Sequence, residues 1–510
     1  MFDLENISLK NKKAWSLIQS GNTCGVFQLE SELGKQWAKT IRPSNINELS
    51  ALLALIRPAC LESGMTSQYS RIKNGKEPPF KFGDEDVDRI LNPTNGVLIY
   101  QEQLMKFGGE IAWKHFEHLD RLVIVDKLRK GIGKKNAKLI SDLKQKFIDG
   151  CVHNGRTVDF SEKLFDIIEK AGRYAFNDAH AKKYALWSYR TAYAKANFPL
   201  EFYCTYLTYS RLRQKPKEEI RNLVNEARML SIKIDAPSLK NLTEEFQISE
   251  DKKSIHFGLS HIKQVSHNDL KVLNDNPEML SSLGDFFKLH FDKVGFDKRI
   301  RSACVESLIK SGSCDFFGLS RSSMLEGFSV LRGLTPRECI YVCDRMSSCN
   351  LKEIKNLIKD CATNFSSEQR RSMLISEAES IDVSRKDSRN KNLMLEKDLI
   401  GVEFSMIFDK GKRAKLTCKE CYKFSKENRG HKGSVLVKIS EVIPLVTKRG
   451  QNAGSEMCQI IATDNSGSYR FACFPDNYKK FKDLIEENVD CVIEVDGTGN
   501  GWCVNSLNHV

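Results

Sequence analysis

SVLVKISEVIPLVT (434–447), EMCQIIATDN (456–465), YRFACFP (469–475) and DCVIEVDG (490–497) alternate apolar and polar residues with a period of two, and Gly, Asn and Asp separate the runs. About five short strands with one helix between them, YKKFKDLIEE (478–487), predict a small barrel at the C-terminal end.

Upstream the period lengthens to that of a helix. A lead-in helix begins near Asn11 and stops at the Ser20-Gly21-Asn22 turn. IRPSNINELSALLALIRP (41–58) shows a Ser or Asn cap, apolar residues at helical spacing, and Pro58 at its end. GVLIYQEQLMKFGGEIAW (96–113) runs from a short apolar stretch into an amphipathic helix, and LWSYRTAYAKANFP (186–199) is a helix stopped by Pro199. After Lys215, EEIRNLVNEARMLSIKI (218–234) gives a helix and an extended segment. FGLSHIKQVSHNDLKVL (257–273) and RIRSACVESLIKSGSCD (299–315) then read as helix-turn-helix-like pieces. The polar, helical stretch 326–395 closes on SRKDSRNKN (384–392), which reads as an exposed linker. The fold class is therefore α+β, mainly helical through the N-terminal and middle regions, with an all-β barrel of the oligonucleotide/oligosaccharide-binding (OB) type at the C-terminal end.

A chain of 510 residues exceeds one ordinary core, and at roughly 150 residues each about three domains are expected. With 41% hydrophobic and 28% charged residues, collagen-like and wholly disordered classes are excluded. No apolar run approaches the roughly 20 residues of a membrane helix, and MFDLENISLK lacks a signal-peptide core, so a cytosolic protein with no membrane partner is expected. The net charge is +13. Almost all of it lies in residues 121–150 and 409–432, each with nine Lys/Arg against three acids. Such local excess on a neutral body points to a polyanion, against the alternative of a solvated Lys-rich face. The 16 cysteines are scattered and read as reduced, mostly buried thiols. Cys418 and Cys421 in TCKEC, with His431, fall short of four zinc ligands and read as packed or solvated thiols. Asp84, Asp86 and Asp88 in GDEDVDRIL (83–91) imitate a metal-binding strand, but acids before an apolar helical run read as a capped helix start.

Six segments carry a resemblance: GNTCGVFQLES (21–31), LIRPACLESGM (55–65), NGVLIYQEQLMKF (95–107), LRKGIGKKN (128–136), YAFNDAHAKKYALWSYRTAYAKANFPLEF (174–202) and SLIKSGSCD (307–315). In order and spacing they resemble the C-terminal half of the alpha subunit of bacterial DNA polymerase III, a replicative polymerase. The resemblance implies a lead-in at 1–20, fingers at 21–215, a helix-hairpin-helix region for duplex and clamp at 216–325, a helical linker region at 326–395, and an OB barrel at 396–510. It also implies that the palm, whose aspartates hold two magnesium ions, lies outside this sequence. The expectation is a separately encoded half of a split polymerase, inactive alone and with no catalytic residue of its own. Its partners would be a palm-bearing chain, deoxynucleoside triphosphates, primer-template and single-stranded DNA, and a sliding clamp, in the cytoplasm of a bacterial-type cell or encoded by a virus. The alternative is a non-catalytic DNA-binding or regulatory protein built from polymerase modules.

LRKGIGKKN joins Arg129, Lys130, Lys134 and Lys135 through Gly131 and Gly133. Prepositioned cations suit a triphosphate, glycines allow close approach, and the family uses this segment for the incoming nucleotide. The family usually has two arginines where this chain has Arg129-Lys130, and lysine keeps the charge without the fork. In FNDAHAKKY (176–184), Asn177, His180 and Tyr184 match the family, whereas Asp178 and Ala179 depart from it. His180 would donate to phosphate or template backbone, or serve structure, and Tyr184 and Tyr174 would stack near the nascent pair. Arg57 divides between packing and phosphate contact. Glu102 in YQEQLM has no nucleophile or metal cluster near it and reads as a structural hydrogen-bonding group. In LSHIKQVSHND (259–269), Gln264 and Ser266 replace usual hairpin glycines, which predicts altered duplex contact with Lys263 compensating by charge. QRRSMLI (369–375) only approximates a clamp-binding peptide, lacks its terminal aromatic, and reads better as an amphipathic helix. In the barrel, Tyr469, Phe471 and Phe474 are candidate stacking faces, about half of them expected in the core, and Lys448 and Arg449 are candidate backbone contacts.

Overall fold

The computed structural model describes residues 5–133, 137–292, 295, 298–346, 351–382, 387–405, 414–425, 427–447, 453–499 and 501–510. Two compact units divide the chain, Met1–Pro199 and Leu200–Val510. The first is helical: α1 (Lys12–Ser20), α2 (Glu32–Ile41), α3 (Ile46–Leu55), α4 (Pro58–Glu62), α5 (Met65–Lys73), α6 (Glu85–Leu91), α7 (Gln101–Lys106), α8 (His118–Gly133), α9 (Ala137–His153), α10 (Val158–Gly172) and α11 (Asp178–Asn197). Local chemistry sets the ends. Asn11 caps α1 by accepting from the Ala14 amide and Gly21 closes it in the left-handed region, while Asn45 caps α3 and Pro58 opens α4 at its first position. Asp84 caps α6 by accepting from Asp86 and Val87, Asp88 accepts from the Phe82 and Gly83 amides, and Arg156 bridges Asp84 and Asp86. The capped-helix reading of GDEDVDRIL is what the structure shows.

Two apolar clusters fill this unit. One joins α1–α5 to α11 and the 97–100 segment around Trp15, Leu52, Tyr69 and Tyr189. The other joins α6–α10 around Phe107, Trp113, Phe147 and Phe165. Helix α1, expected in the lead-in, packs Ala14, Trp15 and Ile18 into the first cluster, so it is part of this body.

Helix α12 (Pro199–Tyr209) leads into the second unit, followed by α13 (Pro216–Met229) and a small sheet of β1 (Lys233–Ile234), β2 (Gln247–Ile248) and β3 (Ser254–His256) in the order β1-β3-β2. Then come α14 (His267–Asp275), α15 (Leu283–Phe291), α16 (Ser302–Lys310), α17 (Arg321–Arg332), α18 (Pro336–Arg345), α19 (Leu351–Asn364), α20 (Glu368–Ser380), α21 (Arg389–Ile400) and α22 (Cys418–Lys423). The stretch 326–395, expected to be helical, is a set of helices, with Thr335 capping α18. Asp387, inside SRKDSRNKN, accepts from the Arg321 and Ser322 amides at the start of α17, and α21 begins at Arg389. Strands β4 (Lys432–Val446), β5 (Glu456–Asp464), β6 (Gly467–Cys473), β7 (Asp490–Gly497) and β8 (Trp502–His509) close a barrel in the order β4-β5-β6-β8-β7, with α23 (Pro475–Phe481) between β6 and β7. The last strand runs parallel to the third and antiparallel to the fourth, an OB-type arrangement. No described helix is long and apolar enough to cross a membrane. The fifteen described cysteines are unpaired, and all but Cys204 and Cys503 are buried.

Candidate functional site

Arg129 and Lys130 lie in the last turn of α8, three and four residues beyond Asp126. That spacing puts all three on one helix face. Arg129 forks onto Asp126 Oδ1 at 3.1 and 2.7 Å, and Lys130 reaches Oδ2 at 2.7 Å. The hydrogen bonds from Lys130 and Arg129 hold the Asp126 carboxyl below the usual carboxylate range. The trio keeps one net positive charge. Gly131 is buried, and a Cβ there would meet the Leu139 side chain at 3.3 Å, so this glycine lets α8 pack on the following helix. Around Gly133 there is open space. Lys134 and Lys135 lie outside the described residues.

The second group sits at the start of α11. Asn177 caps the helix by accepting from the His180 amide at 2.7 Å and donates to Glu102 Oε1 at 2.8 Å, while Glu102 Oε2 accepts from the Asp178 amide at 2.8 Å. Glu102 is therefore a structural anion at a helix N-terminus. From this cap an aromatic row climbs the helix. Phe176 meets His180 edge-on at 5.5 Å, His180 lies 4.1 Å from Tyr184, and Tyr184 lies 5.2 Å from Phe27. His180 is exposed and Tyr184 half-buried. Arg57 donates to the Ala54 and Tyr174 carbonyls at 2.7 and 2.8 Å and covers the Phe176 ring at 4.4 Å, so its guanidinium packs within this unit. Tyr174 lines an open cavity of about 600 Å³ with Ser63, Met65, Lys170 and Arg173. Among the described residues, no hydrogen bond, ion pair or ring contact joins the Arg129 group to the α11 row. Sequence reasoning missed Trp187, which is 46% exposed and lies beneath Arg190. Its signal was the spacing 180, 184, 187 on one helix face.

In the second unit, LSHIKQVSHND forms a one-turn helix at Leu259–His261, a tight turn, and α14. Gln264 holds φ +72°, the left-handed conformation that favours glycine, at a position where the resemblance led to the expectation of a glycine. Ser266 and Asp269 cap α14 reciprocally, and the Arg301 fork onto Asp269 also donates to the Gln264 carbonyl, tying the turn to α16. Burial alone would raise the Asp269 carboxyl, but these bonds outweigh it and hold it low. Lys263 is half-exposed, 3.9 Å from Asp398, so its charge is partly balanced. Residues 369–375 lie within α20, with Leu374 fully buried and Arg370 forked onto Glu338. An extended clamp-binding peptide is not the form this segment takes.

The barrel separates its three rings. Phe471 is wholly buried in the core and cannot stack on a base, which corrects the expectation for this residue. Tyr469 packs edge-on against it at 4.9 Å, and burial pushes its hydroxyl up to about 12. Phe474, at the cap of α23, is 46% exposed and keeps a free face. Lys448 and Arg449 lie outside the described residues. Cys418 and Cys421 are buried in the barrel core, where burial pushes both thiols upward, and His431 is exposed. The described residues hold no group of three His, Cys, Asp or Glu arranged to bind a metal.

Residues 1–155 match the family model of the bacterial DNA polymerase III alpha subunit finger domain, and residues 231–324 match a helix-hairpin-helix motif. DNA polymerase III subunit alpha of Aquifex aeolicus is 35% identical over 322 residues, covering 62% of this chain and 26% of that protein. Those of Helicobacter pylori and Escherichia coli are 31% and 30% identical over 64% and 63% of this chain and 27% of each relative. The chain spans about a quarter of the length of the curated relatives it matches. The finger domain, the helix-hairpin-helix region and these relatives together relate the chain to the C-terminal half of the bacterial DNA polymerase III alpha subunit.

Proposed function

We propose that the chain supplies the fingers-to-barrel part of a DNA-directed DNA polymerase and works with a separate palm-bearing chain. One observation carries the reading: within the segment that matches the finger domain, Arg129 and Lys130 pair with Asp126 in the last turn of α8 and leave a net positive charge on the outer face of that half-buried helix. In nucleotidyl transfer the primer 3′-hydroxyl oxygen bonds to the α-phosphorus and pyrophosphate departs. Arg129 and Lys130 bind the triphosphate and offset the charge that gathers on the leaving group. His180 and Tyr184 offer an exposed edge and face beside the nascent pair, and Phe474 and Lys263 contact DNA. In this reading magnesium, which would supply charge stabilisation at the reacting phosphate, belongs to the palm-bearing chain.

The test is primer extension with this chain, a palm-bearing chain, and both. Extension is expected from the mixture alone, and changing Arg129 and Lys130 together to Ala should lower kcat/KM for nucleotide at least about tenfold. Extension by the single pure chain would overturn the division of labour. DNA binding without extension under any pairing would favour the DNA-binding or regulatory reading.

A further inference from the structure

The helices after the hairpin region carry an aromatic stack that neither the finger reading nor the barrel uses. Tyr341 of α18 lies under the Arg345 guanidinium at 3.8 Å, and its ring stacks on Phe365 at 4.8 Å with an interplanar angle of 25°. The rings are held in place. The Tyr341 hydroxyl donates to Asp360 Oδ2 at 2.6 Å, and Asn364 donates to the other oxygen of the same carboxylate. That contact holds the Asp360 carboxyl low and the Tyr341 hydroxyl high. Phe365 is 48% exposed, an unusual position for a large apolar ring already seated on a neighbour. Beside it, Arg371 donates to the Ala362 and Thr363 carbonyls at the end of α19 and is exposed. Neither Arg345 nor Arg371 forms an ion pair with any described residue.

We propose that the Arg345–Tyr341–Phe365 stack is a landing site for an unpaired base of single-stranded DNA, with Arg371 taking the adjoining phosphate. A fixed aromatic face extended by a guanidinium suits any base, and a nearby unneutralised cation suits the backbone. The inference rests on the reading that this unit meets DNA, and it adds a contact outside both the hairpin and the barrel.

The experiment measures anisotropy of labelled oligo-dT, of the same strand with abasic sites, and of a short duplex, using the full chain. Phe365→Ala should weaken oligo-dT binding about fivefold or more and leave duplex binding and the salt slope unchanged. Phe365→Trp should restore affinity, and the abasic strand should bind wild type weakly with no further loss in the variant. Arg371→Ala should flatten the salt slope by about 0.7. Equal oligo-dT binding by wild type and Phe365→Ala, with duplex binding intact, overturns this proposal alone. An equal loss on the abasic strand also overturns it, by showing that the ring serves structure. Absence of all DNA binding by the wild-type chain would remove the underlying reading as well.

Discussion

Asp126 sits one turn before both cations that are assigned to the triphosphate, and its effect on them can be tested. Arg129 and Lys130 share this one carboxylate, so a nucleotide must compete with it. Exposed pairs of this kind are weak, because water and salt screen them. Asp126→Asn should therefore lower the nucleotide Kd by a factor of roughly two to five, read by fluorescent-nucleotide titration. Glu338 gives a pH-dependent counterpart. Burial would raise its carboxyl, but the Arg370 fork, the Thr335 amide and the Ser366 hydroxyl outweigh this and hold it at about 2, against 4.5 for a free glutamate. A depressed folded value means that the stabilisation is complete above about pH 4.5 and fades as pH falls toward 2. Glu338→Gln should cost ~3 kcal/mol at neutral pH and almost nothing near pH 2, measured by denaturant unfolding across that range. The carboxylate roles were partly legible. Thr335 and Glu338 form a capping box at the start of α18 that sequence reasoning did not single out, and the contacts from Arg370 of α20 and from Ser366 in the loop before it are announced by no local pattern.

At the scale of elements, alternation told which barrel residues share a face but not which face is inside. Tyr469, Phe471 and Cys473 have the same parity in β6 and all turn toward the core, whereas Phe474 lies beyond the strand at the cap of α23 and escapes the rule. Phe471→Ala should accordingly destabilise the barrel by about 3–5 kcal/mol. Phe474→Ala should leave the unfolding midpoint nearly unchanged while weakening oligo-dT binding, an outcome that paired melting and anisotropy measurements check. The helices between Arg321 and Ile400 were the least legible elements. SRKDSRNKN at 384–392 suggested an exposed linker, yet Asp387 within it caps a neighbouring helix, and Glu396 just beyond it is fully buried against Arg321. Charge read along the chain does not reveal partners that are distant in sequence. The glycine-like turn at Gln264 was foreshadowed, since the departure from glycine was visible and the left-handed backbone supplies its physical cost.

For the whole molecule, each compact unit holds its own cores and its own basic window, 121–150 in the first and 409–432 in the second. Residues 1–199 and 200–510, expressed separately, should each unfold cooperatively. The expectation for the C-terminal end is a barrel within residues 396–510. Closure of β4-β5-β6-β8-β7 supports that, but α13 presses on the turn before β6 so closely that a Cβ at Gly467 would strike Met229. Arg228 of the same helix donates to the Glu403 carbonyl, and a cut at 396 would leave Glu396 without Arg321. An isolated 396–510 piece should therefore melt below the 200–510 piece. Oligo-dT affinity, with its logarithmic salt slope of about −0.7 per phosphate neutralised, should follow residues 200–510, where Phe474 and the second basic window lie. If residues 1–199 instead retained most of the salt-dependent single-strand binding, the DNA path assigned to the second unit would have to move to the exposed His180–Tyr184–Trp187 face of α11.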